Sequence, residues 1–148
     1  VEAKYTGKAD WRFLARVRET FSGRTIIGSG DAQTPEAALA MLRETRVSGV
    51  AVARGCLGNP WFFQQVRDVV RGRPPRRPTL AQQREVIARH FDAAVELYGP
   101  VRGPRHMRKF GIRYARMHPQ PKLVRAAFVA IKRPDDFRSV LEKYYAEK

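Results

Sequence analysis

Residues 71–78 read Arg71-Gly-Arg-Pro-Pro-Arg-Arg-Pro78. Three prolines in eight residues forbid a continuous helix or a central strand here, because each proline fixes φ and lacks a backbone N–H. The chain of 148 residues is therefore expected to fold on either side of a linker, residues 72–78. The two sides differ in charge. Residues 1–70 hold ten basic and seven acidic side chains, whereas residues 71–148 hold nineteen and seven. A second half carrying most of the net +15 implies a polyanionic partner. At 43% hydrophobic residues the chain has enough apolar material for a core, which excludes a disordered tail. The only cysteine, Cys56, excludes a disulfide framework and a cysteine-based zinc site. His90, His106 and His118 form no HxxxH pair, which argues against a histidine-rich metal site. No apolar run approaches the ~18 residues of a membrane span, and the N-terminus is not a signal peptide. A soluble cytoplasmic protein is the expectation.

The first half alternates helices and short strands. Asp10 can cap a helix whose apolar positions Trp11, Leu14, Val17 and Phe21 recur at helical spacing. Residues 25–28 predict a strand. Thr34-Pro35-Glu36 starts a helix to about Thr45, with a hydroxyl cap, proline at the first position and an early acid. Residues 49–53 predict a second strand, apolar without alternation, as in a strand buried on both faces. Asn59-Pro60 starts a helix over 61–70. Helix, strand, helix, strand, helix at this spacing is a piece of a parallel α/β fold. After the linker everything predicts helix. Thr79 and Gln82 make a capping box, Leu80, Ile87, Phe91, Ala94 and Tyr98 an apolar face, and Gly99-Pro100 a stop. Further helices are expected over roughly 104–117 and 121–131 and from Pro134 onward.

Two parallel strands make no stable sheet, because both are edges with unpaired backbone groups. Residues 1–71 are therefore expected to be the end of a larger α/β domain whose earlier strands lie upstream; the chain also lacks an initiator methionine. The alternative is a very small α/β domain completed by dimerisation.

Each predicted strand ends in a glycine-containing turn, Gly28-Ser29-Gly30-Asp31 and Ala53-Arg54-Gly55. Parallel α/β folds place ligands at the C-terminal ends of their strands. Glycines there let a backbone approach a ligand, and Arg54 supplies a fork suited to phosphate oxygens. Two such loops after consecutive strands match the phosphate site that often follows strands seven and eight of a (β/α)8 barrel. Either triplet alone is an ordinary tight turn; the pair favours phosphate.

Lys8-Ala9-Asp10-Trp11, Gly28-Ser29-Gly30-Asp31, Thr34-Pro35-Glu36-Ala37-Ala38 and the run Ala53-Arg54-Gly55-Cys56-Leu57-Gly58-Asn59-Pro60-Trp61-Phe62 resemble the tRNA-dihydrouridine synthases in order and spacing. Met107-Arg108-Lys109-Phe110 and Tyr114 resemble that family's helical RNA-binding tail. The resemblance implies the C-terminal fragment of a TIM barrel, its last two strands and their helices over 1–71, joined to a small helical tRNA-binding bundle over 79–148. It places the chain just after the family's His-x-Arg-Thr motif. It implies FMN, with the flavin phosphate held by Ser29, Gly30 and Asp31 and by Ala53, Arg54 and Gly55. Ser29 stands where the family usually has Asn, and Ala53 where it usually has Gly. The first change loses an amide donor and the second adds a methyl, and neither removes a backbone N–H. The family's reaction uses NAD(P)H to reduce FMN and passes hydride to a uracil of tRNA, while a cysteine protonates the adjacent carbon. That cysteine is expected upstream, so no catalytic residue is assigned here, and Cys56 is expected to be a packing residue.

Residues 104–117 on a helical wheel place Arg105, Arg108, Lys109, Arg113 and Arg116 within an arc of about 140°. Met107, Phe110, Tyr114 and Met117 cluster opposite, and Ile112 falls on the basic side. Like charges at i,i+3 and i,i+4 cost helix stability unless a partner offsets them, and a phosphate backbone is such a partner. Lys122 and Arg125, with Lys132 and Arg133, are expected to extend this surface, and Tyr114 is expected in the core. The tail would orient tRNA while the barrel receives the flipped base. The competing readings are a solvated basic face, a noncatalytic RNA-binding module with a vestigial barrel piece, and another phosphate-binding barrel enzyme.

Overall fold

The computed structural model describes residues 7–146, and these are α/β first and helical afterwards. The chain divides into two compact units, one of residues 1–56 and 60–76, the other of residues 57–59 and 77–148.

In the first unit, α1 (Trp11–Thr20) is capped by the Asp10 carboxylate, which accepts from the Phe13 N–H at 2.9 Å. Strand β1 (Ile27–Ser29) leads into α2 (Pro35–Thr45), whose Thr34 hydroxyl accepts from the Ala37 N–H. Strand β2 (Gly49–Ala51) pairs parallel with β1, with Ile27 opposite Gly49 and Ser29 opposite Ala51. A single turn of 3-10 helix over Arg54–Cys56 follows, then α3 (Phe62–Val70). Both strands are shorter than the sequence predicts, and β1 lies later, so that Ser29 is a strand residue. The α3 helix begins at Phe62, one residue later than expected, and Trp61 at its start makes no side-chain cap. Ala32, Ala38, Met41, Val47 and Phe62 are buried together, with Trp11, Leu14 and Cys56 among the residues packed around them. The Cys56 thiol donates to the Ala53 carbonyl at 3.2 Å, as a packing residue in a tight turn would.

The proline-rich stretch has no regular structure up to Thr79, yet its first part is fastened. Asp68, buried on α3, takes the Arg73 guanidinium at 2.8 Å and the Arg76 N–H at 3.4 Å. Buried Gln65 donates to the Arg76 carbonyl at 3.0 Å. These bonds satisfy backbone groups that prolines leave without ladder partners.

The second unit is built on α4 (Leu80–Tyr114), which opens with the Thr79–Gln82 capping box. Gly99 has φ +78° and breaks α4 into two arms. Helix resumes at Pro100, four residues before the expected start, since proline at a first helical position costs no hydrogen bond. A 3-10 turn over Ala115–Met117 precedes α5 (Pro121–Ala130) and α6 (Pro134–Tyr144). Phe91 stacks on Phe137 with ring centroids 4.1 Å apart, and Phe128, Phe137, Tyr145, Met107 and Ile87 are fully buried. Among the described residues no helix is long and apolar enough to cross a membrane.

Candidate phosphate loops and a cationic concavity

In the first unit the parallel pairing of β1 and β2 brings the two loops side by side. Gly30 and Asp31 both have positive φ. A Cβ on Gly30 would lie 2.5 Å from that of Ala9, and one on Gly55 would lie 2.3 Å from the Ala32 carbonyl oxygen. Glycine is thus required at both places by neighbouring protein, whatever ligand the loops meet. The Asp31 carboxylate is likewise occupied, accepting from the Ala9 N–H at 2.7 Å, and the Trp11 indole donates to the Gly30 carbonyl at 3.3 Å. Ser29, Ala53 and Arg54 remain exposed, and Arg54 has no carboxylate partner among the described residues. Gly30, Asp31 and Gly55 hold the loops in shape, and the outward groups are the Ser29 hydroxyl and the Arg54 guanidinium. A concavity of about 530 Å³ at the start of α2, with Lys8, Trp11, Asp31, Gln33 and Thr34 in its wall, was not foreseen.

In the second unit, α4, the 3-10 turn and α5 enclose a concavity of about 450 Å³. Lys109, Arg113, Arg116, Lys122 and Arg125 line it, with Ile112, Ala115 and Pro121. No acidic side chain lines it, and none of the five cations pairs with a carboxylate among the described residues. Arg105 and Arg108, expected on the same face, lie outside the lining; Arg105 is exposed and Arg108 half-buried. Ile112, the exception on the wheel, is half-buried in the wall of the concavity. Arg113 is also half-buried: Gly58, at φ +77°, approaches it so closely that a Cβ would sit 2.5 Å away.

Two histidines shape this unit. His118 is buried and bridges two helices. Its Nε2 donates to the Tyr144 carbonyl at 2.7 Å, and its Nδ1 accepts from the Gln120 N–H at 2.9 Å. One tautomer satisfies both contacts and fixes the chain entering α5, where Lys122 and Arg125 begin. His90 places Nδ1 3.0 Å from the Tyr114 hydroxyl. Burial, then the neighbouring His106, lowers the His90 pKa, and burial raises that of Tyr114. Tyr114 is core, as its place on the wheel predicts.

The chain matches the dihydrouridine synthase family over residues 1–148. It is 33% identical over 141 residues to a protein of Mycobacterium leprae named probable tRNA-dihydrouridine synthase, covering 95% of this chain and 37% of that protein. It is 30% identical over 142 residues to tRNA-dihydrouridine synthase B of Xanthomonas axonopodis pv. citri, covering 95% and 42%. A probable tRNA-dihydrouridine synthase of Rickettsia prowazekii is 28% identical over 142 residues, covering 95% and 43%. The chain thus spans about two fifths of the length of these relatives.

Proposed function

This chain belongs to the dihydrouridine synthase family, and from that premise we propose that it is the flavin-phosphate and RNA-binding part of an enzyme reducing uridine to 5,6-dihydrouridine in tRNA. The observation that carries the proposal is the concavity of five cations, none paired with a carboxylate among the described residues, on a chain that matches the family from end to end. Residues 1–71 are the last two strands of a (β/α)8 barrel. The open edges of β1 and β2 and the two-fifths coverage of the relatives support this, since the missing strands would pair with those edges. The remaining barrel, with the cysteine that protonates the uracil ring, belongs to the part of the protein upstream.

The loop residues fit an FMN phosphate. The Ser29 hydroxyl and the Arg54 guanidinium, exposed after adjacent strands, would hold it, with Ala53 alongside; Gly30, Asp31 and Gly55 keep that frame rigid. A flavin held there would supply the hydride chemistry for the uracil ring, with NAD(P)H as the reductant. Arg105, Arg108, Lys109, Arg113, Arg116, Lys122 and Arg125 hold tRNA phosphates, releasing counterions on binding. The test is dihydrouridine formation in a tRNA transcript, read by mass spectrometry. The enzyme would be this chain joined to the portion of the mycobacterial relative that it does not cover. Product that requires NAD(P)H and falls on Arg54→Ala together with flavin content supports the reading. A flavin-loaded chimera that leaves tRNA unchanged contradicts it.

The second reading, a noncatalytic RNA-binding module, is favoured by one observation: the second unit has its own buried core. RNA binding by a chimera that never takes up flavin would select it.

A further inference from the structure

At the break in α4 an aromatic pair lies outside the core. Tyr98, the last residue before Gly99, is 43% exposed and sets its ring 4.5 Å from that of His106 on the other arm. His106 in turn leans on Phe110, 5.5 Å away. Leu97 and Val101 on either side are 74% and 63% exposed. One face of Tyr98 is therefore supported by protein, while much of the ring meets solvent.

The charge around this pair is specific. Arg102, His106, Lys109 and Arg113 recur at helical spacing along one stripe of the second arm. From His106 to Arg113 the stripe runs about 10 Å, and Lys109 and Arg113 belong to the cationic concavity. Arg102 and Arg105 are exposed and have no carboxylate partner among the described residues. The nearest acid in sequence, Glu96, lies two residues before Tyr98 on the first arm, and the second arm from Pro100 to Tyr114 carries no acid. A supported aromatic ring at the head of a cationic track is the arrangement that takes single-stranded nucleic acid, with phosphates on the cations and a base on the ring. An apolar protein partner would gain nothing from the flanking arginines.

We propose that Tyr98, backed by His106, is a stacking platform for one unpaired nucleobase of the RNA whose phosphates occupy the cationic concavity. The inference rests on the RNA-binding reading and adds to it a preference for RNA with an unpaired nucleotide. Tyr98→Leu keeps apolar bulk and removes the π face, and Tyr98→Phe keeps the face.

The test is fluorescence anisotropy of the 148-residue chain with two labelled RNAs, a blunt duplex and the same duplex closed by an unpaired loop. The wild-type chain should prefer the looped RNA. Tyr98→Leu should remove about tenfold in affinity for it, the size of one base–aromatic stack. Tyr98→Phe should bind like wild type, and duplex affinity and salt slope should stay unchanged in both variants. Tyr98→Leu within twofold of wild type on the looped RNA, or equally weakened on both RNAs, overturns the platform and leaves the RNA reading standing. Salt-insensitive or absent binding of both RNAs by the wild type removes the RNA reading, and the platform with it. Loss of self-association in Tyr98→Leu, with RNA binding intact, assigns the patch to a second copy of the chain and overturns the proposal.

Discussion

Among the described residues, the first unit buries five apolar residues in one cluster, two of them alanines, around strands of three residues each; the second buries thirteen, including Phe91, Phe128, Phe137 and Tyr145. The difference teaches where each unit gets its stability. Helices satisfy their own backbone, so the second unit needs only side-chain packing to be complete. A parallel pair of strands leaves two edges unpaired among the described residues, which is why the proposed function places further strands beside the first unit. Phe13, Phe21, Ile27, Phe63 and Val70, all about half exposed, belong to that unit and leave it with more apolar surface to cover.

The largest expected effect is in the second unit. Phe128→Ala should cost about 3–5 kcal/mol, because the ring is fully buried against Phe137 and Tyr145. Urea unfolding followed by far-ultraviolet circular dichroism measures it. Met41→Ala, also at a fully buried position, should leave that helical transition in place. A Met41 variant that melts both units together would break the comparison.

Next comes the charge. Reversing Arg116 and Arg125 to Glu, both exposed in the concavity wall, should lower the salt slope of RNA binding by about two. Reversing Arg105, outside the wall, should change affinity less than either. An unaltered slope in the double variant would remove the concavity from the account.

Asp68→Ala should release residues 73–76 from α3 and destabilise the first unit by about 1–3 kcal/mol, seen as faster hydrogen exchange at Arg76. The smallest effect concerns pH. His90 has a native pKa lowered from 6.5, by burial and then by His106. The unfolded chain therefore binds the proton more readily, and stability falls as pH drops through 6.5, flattening below the native value. His90→Gln should flatten that profile in pH-dependent urea unfolding, and an unchanged profile would place the titration elsewhere.

Much of this was legible in the sequence where the signal is local. The caps at Asp10, Thr34 and Thr79–Gln82 stand where their residue types predict, and so does the break at Gly99. Helical periodicity grouped Lys109, Arg113 and Arg116, which share the concavity, but also drew in Arg105 and Arg108, which lie outside its lining. What was not legible depends on distant segments. Nothing near Gly30 signals that Ala9 packs on it, or that Asp31 serves the Ala9 N–H instead of facing outward. The stretch after α3 resembles a free linker until Asp68 and Gln65 are seen to fasten it. The concavity needs α5 beside α4, and the entry to α5 is tied to α6 by His118, a residue with no local signature.

The most direct test of the central claim is the flavin absorbance spectrum of this chain, purified alone and again joined to the uncovered portion of a mycobacterial relative. The expected result is a colourless chain on its own and a yellow chimera with FMN near one per chain, reduced in occupancy by Arg54→Ala. A chimera that folds with a closed barrel and carries no flavin would contradict it, and the chain would then stand as an RNA-binding unit with a vestigial sheet.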